Sequence, residues 1–402
     1  MLKRTVLALL SALAFCGAPL FMPQDVAAQE VSENIGGSGA ELVAEVNSGR
    51  VLYEYNADDR LPMASTTKIL TALIVIEDCD PDAVVTVPPE CVGVEGSSVY
   101  LTAGEKIKVK DLLYGLMLRS GNDCAETLAV YHSGTVDRFA VYMNERASAL
   151  GATGSRFKNP HGLPDPEHYT TARDLAVIAC AAMKNETFKE IVSARSAVVP
   201  DGGCGYAREL VNKNKMLYRY EGANGIKTGY TKAAGRCLVA AAEREGMQLV
   251  SVVLNCPDMY ERSGALLDAA FGAYSYKRVF DSSAYKITAD TEVGGKTCAG
   301  ACAEDFSYPL ADGEDKDVRI EAECRAPLVL PVESGDELGI LRIYLKKQLL
   351  FSQKIYSIES VKKSWADILG ELSRNFTRQE DLCGSINISP NAAWRAGVPA
   401  IN

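Results

Sequence analysis

Histidine is scarce in this chain: His132, His161 and His168 are the three among 402 residues, and none stands in a G-x-S-x-G or H-E-x-x-H context. A Ser-His-Asp hydrolase and a zinc peptidase are both disfavoured by that lack. No two cysteines are spaced C-x-x-C, the nearest pair being Cys298 and Cys302, so metal clustering has no support and the expected metal and cofactor complement is none. Beyond the N-terminus there is no long apolar run and no internal repeat. Excess positive charge is missing too. The net charge of −10 disfavours nucleic acid as a partner.

Cysteine itself is plentiful, twelve in all, but loss of Cys16 with a leader would leave an odd number. Cys79, Cys124, Cys180 and Cys237 lie in apolar surroundings and read as small core residues, so few or no structural disulfides are expected. Hydrophobic residues make up 47% of the chain, enough for a sizeable core, and the length suits about two domains.

Residues 1–28 read as a secretory signal, with Lys3 and Arg4, an apolar stretch from Thr5 to Phe15, and small residues at Val26-Ala27-Ala28. An exported, extracytoplasmic protein follows. Residues 29–40 are a Gly- and Ser-containing linker. Residues 41–280 form the main domain, opening with a hairpin whose strands, Leu42 to Val46 and Val51 to Tyr55, flank Asn47-Ser48-Gly49. Helices are expected from Val109 to Leu118, from Cys124 towards His132, from Phe139 to Leu150, and from a Thr170 or Thr171 cap to Met183. Strands at 237–242 and 249–254 follow, then a closing helix from Ser263 to Tyr276. This order implies an α/β fold in which an antiparallel sheet, built from both chain ends, is flanked by helices. Residues 284–358 read as a small all-β domain.

An amphipathic helix and tail occupy 361–402, with Val361, Trp365, Ile368, Leu369, Leu372 and Phe376 on one face. That helix either packs on the protein or makes peripheral membrane contact through residues 361–376. Lys362, Lys363 and Arg374 favour the membrane reading, while Asp367 and Glu371 dilute it.

Chemistry concentrates in three short stretches. Ser65-Thr66-Thr67-Lys68 opens an apolar helix continued by Ile69, Leu70, Leu73, Ile74 and Ile76. Residues at i and i+3 share a helix face, so the Lys68 amine reaches the Ser65 hydroxyl. A serine needs a base before it attacks an acyl group, and a lysine of depressed pKa serves. Ser120-Gly121-Asn122 is a polar loop opening another helix, and Lys227-Thr228-Gly229 precedes a strand. Each is common alone. The three in this order behind a leader are informative.

The set resembles the penicillin-binding protein and serine β-lactamase superfamily, and within it the secreted serine-type D-alanyl-D-alanine carboxypeptidases. Further family-like stretches are Arg60-Leu61-Pro62-Met63-Ala64-Ser65, Glu95 to Leu101, Phe157 to Leu163 and His168 to Ala172. Residues 284–358 look like the C-terminal domain of that family. The resemblance implies Ser65 as nucleophile, Lys68 as general base, Ser120 as proton relay, and Asn122 bonding Lys68 or the substrate amide. It also implies Lys227 and Thr228 holding a terminal carboxylate, Gly229 admitting the substrate backbone, and the N–H groups of Ser65 and Tyr230 as oxyanion donors. The implied partners are peptidoglycan stem peptides, with β-lactams as acylating inhibitors. D,D-endopeptidase or transpeptidase action and a non-catalytic β-lactam-binding sensor are the alternatives. A β-lactamase fits less well, because Gly121 stands where those enzymes usually carry Asp.

Overall fold

The protein is described here by a computed structural model covering residues 37–378, with side chains in the last helix described to residue 372. The 1–28 leader, most of the 29–40 linker, the Phe376 side chain and the tail from Gln379 lie outside the described residues. The chain divides into two compact units, one ending at Ala273 and the next beginning at Tyr274.

The first unit is built on a five-stranded antiparallel sheet. Its hairpin is β1 (Ala40–Glu45) and β2 (Val51–Tyr55). Two short pairs follow at intervals, β3 (Val84–Thr86) with β4 (Lys106–Lys108) and β5 (Ser196–Val199) with β6 (Arg208–Val211). The other sheet strands are β7 (Ala223–Thr231), β8 (Gly235–Arg244) and β9 (Met247–Leu254), giving the order β2-β1-β9-β8-β7. β1 pairs with both β2 and β9, so the two ends of the unit meet in one sheet and β7 is left as an edge.

Between the hairpin and β7 come α1 (Lys68–Asp78), α2 (Val109–Leu118), α3 (Asn122–Ser133), α4 (Val136–Ala149), α5 (Ala172–Met183), α6 (Glu186–Ser193) and the single turn α7 (Met216–Arg219). α1 is the hub, touching α2, α3, α4, α5 and α6. Its residues Lys68 to Val75 are all buried, as expected of a helix apolar nearly all round. Thr171 caps α5 by accepting from the Asp174 N–H.

Two buried ion pairs brace this unit. Glu41, on the all-buried β1, takes both arms of the Arg262 guanidinium at 2.7 and 2.6 Å. Glu105 pairs with Arg208, whose remaining N–H groups donate to the Val99 and Tyr100 carbonyls at 2.9 Å. A buried ion pair is tolerable only with such full satisfaction.

Three expectations shift. The closing helix α8 spans Met259–Ala273 rather than 263–276. Tyr274–Phe280 is instead a strand, β10, paired with β13 (Phe306–Ala311); its alternation of aromatic and polar residues suits a half-buried ribbon. The division between units therefore falls before residue 280. The second unit otherwise holds a five-stranded sheet of β11 (Ile287–Asp290), β12 (Thr297–Ala301), β16 (Gln348–Ser357), β15 (Glu337–Leu345) and β14 (Val318–Cys324), in that order.

The terminal helix is the third shift. α9 begins at Trp365, while Val361 forms a β-bridge with Val332. Ser364 and Asp367 exchange hydrogen bonds at its start, the reciprocal arrangement of a capping box. Trp365, Leu369 and Leu372 are exposed. Among the described residues no helix is long and apolar enough to cross a membrane. The ten described cysteines carry no disulfide, and Cys124, Cys180 and Cys237 are buried.

Glu105→Ala should expose the cost of an unpaired buried cation. The variant should lose about 3–5 kcal/mol in denaturant unfolding, whereas loss below 1 kcal/mol would mean that Arg208 finds other solvation.

Candidate active site

The Ser65 turn is shaped by its own side chains. Residues Ala64–Thr67 form a 3-10 turn that leads into α1, so Ser65 sits one turn ahead of the α-helix proper. Ala64 is held in the left-handed region at φ 48°. The Thr66 hydroxyl donates to the Met63 carbonyl at 2.6 Å and the Thr67 hydroxyl to the Ala64 carbonyl at 2.8 Å. Ser65 itself is half-buried.

Lys68 is the first residue of α1 and fully buried. Its Nζ lies 2.7 Å from Asn122 Oδ1, 2.7 Å from the His161 carbonyl and 3.1 Å from Ser65 Oγ. Asn122 Nδ2 donates to the Glu95 carbonyl, which fixes Oδ1 toward the lysine. Burial drives the Lys68 pKa well below the usual lysine range, and the positive charge of Lys227 pushes it further down. A neutral amine has two hydrogens and one lone pair. Asn122 Oδ1 and the His161 carbonyl can only accept, so they take the two hydrogens and leave the lone pair for the Ser65 O–H.

The second stretch is a tight turn between α2 and α3. Ser120 is buried with φ 64°, and Asn122 is the first residue of α3. Asp123, which carries none of the predicted roles, fastens this turn to the loop before it. Its carboxylate accepts from the Ser98 hydroxyl at 2.6 Å and from the N–H groups of Val99 and Leu101 at 3.1 Å.

The third stretch lies on the edge strand β7. Lys227 is 2% exposed, and its Nζ donates to the Thr228 carbonyl at 2.9 Å. Burial, with the Lys213 charge nearby, lowers its pKa to about 7. Thr228 is half-buried, and Tyr230 is exposed. Gly229 has a reason that the sequence reading did not supply. A Cβ there would meet the Ser65 N at 3.0 Å and the Met63 O at 3.1 Å, so its missing side chain lets β7 press against the Ser65 turn.

Two further positions escaped the sequence reading. His161 contributes its backbone carbonyl, while its ring bonds the Leu163 N–H at 3.1 Å and Glu126 at 3.2 Å. Gly162 has φ 89°, and a Cβ on it would fall 1.8 Å from the Ala64 carbonyl oxygen. In sequence both look like turn residues, and only the 93-residue separation of Lys68 and His161 brought to contact reveals them. Lys213, near enough to lower Lys227, had no motif to mark it. Among the described residues no group of His, Cys, Asp or Glu could hold a metal ion.

Gly162→Ala and Gly151→Ala make a matched test. Both positions have φ near 90°, but Gly151 faces open space. Each should lose about 1–2 kcal/mol to the left-handed backbone, and Gly162→Ala a further 1–3 kcal/mol from steric displacement. Equal thermal shifts in the two variants would show that the loop does not bear on the Ser65 turn.

The family model described as D-alanyl-D-alanine carboxypeptidase matches residues 27–258, and the one described as penicillin-binding protein 5, C-terminal domain, matches residues 274–363. The D-alanyl-D-alanine carboxypeptidase DacF of Bacillus subtilis is 31% identical over 367 residues, covering 86% of this chain and 92% of that protein. Penicillin-binding protein 5 from Haemophilus influenzae superposes with a TM-score of 0.66 at 26% identity, covering 81% of this chain and 98% of the other. A DD-transpeptidase of Streptomyces K15 gives 0.56 at 32% identity, over 60% and 99%. The helices, antiparallel sheet and following β unit agree with that fold, and the chain belongs to the serine-type D-alanyl-D-alanine carboxypeptidase family, the low-molecular-mass penicillin-binding proteins.

Proposed function

We propose that this chain is an exported enzyme that removes the terminal D-alanine from peptidoglycan stem peptides through an acyl-enzyme on Ser65. The observation that carries this reading is the Lys68 amine, buried and held with acceptors on two sides and Ser65 Oγ on the third. Lys68 takes the Ser65 proton as Oγ bonds to the carbonyl carbon of the penultimate residue. The developing oxyanion is met by the N–H groups of Ser65 and Tyr230. Ser120 relays the proton to the departing amine, the C–N bond breaks, and free D-alanine leaves. Water then cleaves the ester and restores Ser65. Lys227 and Thr228 bind the terminal carboxylate by charge-assisted and hydroxyl hydrogen bonds.

β-Lactams would acylate the same serine. The Streptomyces K15 neighbour, named a DD-transpeptidase, supports a second reading in which an amine replaces water in the last step. Exposed Trp365, Leu369 and Leu372 support peripheral membrane contact through residues 361–376, with the leader at 1–28 directing export.

D-Alanine release from a peptide ending in D-Ala-D-Ala should be abolished by Ser65→Ala and lowered about 10²–10⁴-fold by Lys68→Ala. A wild-type protein that is acylated by penicillin yet releases nothing would favour a sensor; release that survives Ser65→Ala would refute the nucleophile.

The pH profile supplies a second test. A lysine is charged below its pKa, so as pH rises through about 7 the free enzyme loses the Lys227 charge and its attraction for the carboxylate. KM should therefore climb, by up to about tenfold per pH unit, above that point. Lys227→Arg, always charged, should lack the alkaline limb; an unchanged limb would assign it to another group.

A further inference from the structure

The connector between β6 and β7 carries the pattern Asn212-Lys213-Asn214-Lys215. Its asparagines are buried and bonded to backbone. Asn212 Nδ2 donates to the Ala194 carbonyl at 3.0 Å, and Asn214 Oδ1 accepts from the Met216 N–H at 3.1 Å. The Asn212 and Lys213 N–H groups donate to the Arg195 and Leu118 carbonyls at 2.8 and 3.1 Å. This alternation pins the connector and leaves Lys213 and Lys215 exposed. The turn α7 follows and ends in exposed Arg219.

Three more cations gather around this strap. Arg195 lies over the Tyr218 ring at 5.4 Å and donates to the Leu217 carbonyl at 3.1 Å. Arg119 donates to the Val211 carbonyl at 3.4 Å; partial burial, and then the Arg119 charge, lower the Lys213 pKa. Lys215 stands 6.0 Å from the centre of the Tyr260 ring. Burial raises the Tyr260 pKa, while the Lys215 N–H and the charges of Arg219 and Arg236 oppose that rise, and Glu261 adds to it. None of these six cations makes an ion pair among the described residues, whereas Lys189, Arg208 and Arg244 pair with Glu186, Glu105 and Asp268. In a chain of 52 acidic and 42 basic side chains, such a cluster is a local reversal of the net charge.

The six cations do not converge on a pocket. A small anion would meet one or two of them, while a chain of repeated charges would engage several at once. The net negative charge of the rest of the protein repels such a chain and confines it to this face. Arginine forks suit phosphate oxygens. A bilayer fits less well: α7 packs on β7, and a bilayer seated there would crowd the open edge of that strand.

We infer that this strap is a docking surface for a linear polyanion of repeated phosphodiester groups, outside the catalytic machinery. The proposed export bears only on where such a polymer would be met, and binding is measured apart from catalysis.

Poly(glycerol phosphate) is the probe, titrated into the full chain. Its association should weaken about 10–100-fold between about 50 and about 200 mM salt. A triple variant, Lys215→Gln with Arg219→Gln and Arg236→Gln, should bind about tenfold more weakly at the lower salt and lose about two units of salt slope. A control triple, Lys286→Gln with Lys346→Gln and Lys347→Gln, removes the same charge from exposed positions of the second unit and should stay within about twofold of the wild type. D-Alanine release from a free peptide should be the same in both triple variants as in the wild type. Equal weakening in the two triples would overturn the strap by assigning binding to net charge. No binding by the wild type at the lower salt would also overturn it. Binding to phosphatidylglycerol vesicles that the first triple loses, with none to the polymer, would replace the polymer with a lipid surface. Loss of D-alanine release in the first triple alone would place the strap in the catalytic machinery after all. A wild type that binds the polymer yet releases no D-alanine would sink the carboxypeptidase reading and leave the docking surface standing.

Discussion

An amine buried at the centre of a helical core is the constraint on which the rest of this structure turns. Lys68 begins α1, the helix that the other helices surround, so its Nζ has no water to solvate it. A buried ammonium without a counter-charge is costly, and the amine responds by giving up its proton more readily. The structure supplies dipoles rather than a paired carboxylate: the Asn122 amide oxygen and the His161 carbonyl. Those acceptors stabilise the neutral amine and aim its remaining lone pair. The electrostatics and the geometry therefore favour the same protonation state.

Elsewhere the same unit handles buried charge differently. Glu41 meets Arg262, Glu105 meets Arg208, and Asp123 gathers N–H groups and a hydroxyl. Lys227 has only its neighbour's carbonyl, with two other lysines acting on the same region. Positive charge thus exceeds negative at one place in an otherwise balanced interior. Such an imbalance is unfavourable in the free protein and would be relieved by an anionic ligand, which supports the proposed binding of a terminal carboxylate there. Burial is the largest cause that lowers both Lys227 and Lys68, and the Lys213 charge lowers both as well, so the two amines respond to the same surroundings.

Much of this was legible in the sequence because periodicity and motif order are local signals. Val109 to Leu118 was bounded to the residue, and the sheet was correctly assembled from both chain ends. The closing helix overran because Tyr274, Ser275 and Tyr276 continue an acceptable helical pattern. Their pairing with β13 is a contact across more than thirty residues, invisible to a window. Ser65 was placed at a helix start, but the 3-10 turn depends on threonine hydroxyls bonding carbonyls three residues back, a competition that propensity does not reveal. The His161 carbonyl was beyond reach for a simpler reason: a backbone acceptor has no residue signature.

The glycines show how position, more than residue type, makes this site. The Ser65 turn is wedged between Gly229 of the edge strand and Gly162 of the following loop, with a Cβ excluded on both sides at 3.0 Å or less from Ser65 N and the Ala64 carbonyl. One contact fixes the register between the serine and the strand that would hold substrate. The other fixes the loop whose carbonyl orients Lys68. Were either glycine replaced, every chemical group named in the mechanism would still be present, and the error would be one of about an ångström. Catalysis by positioned groups is sensitive on that scale. The family's three short motifs are therefore insufficient by themselves, and the two close backbone approaches complete them.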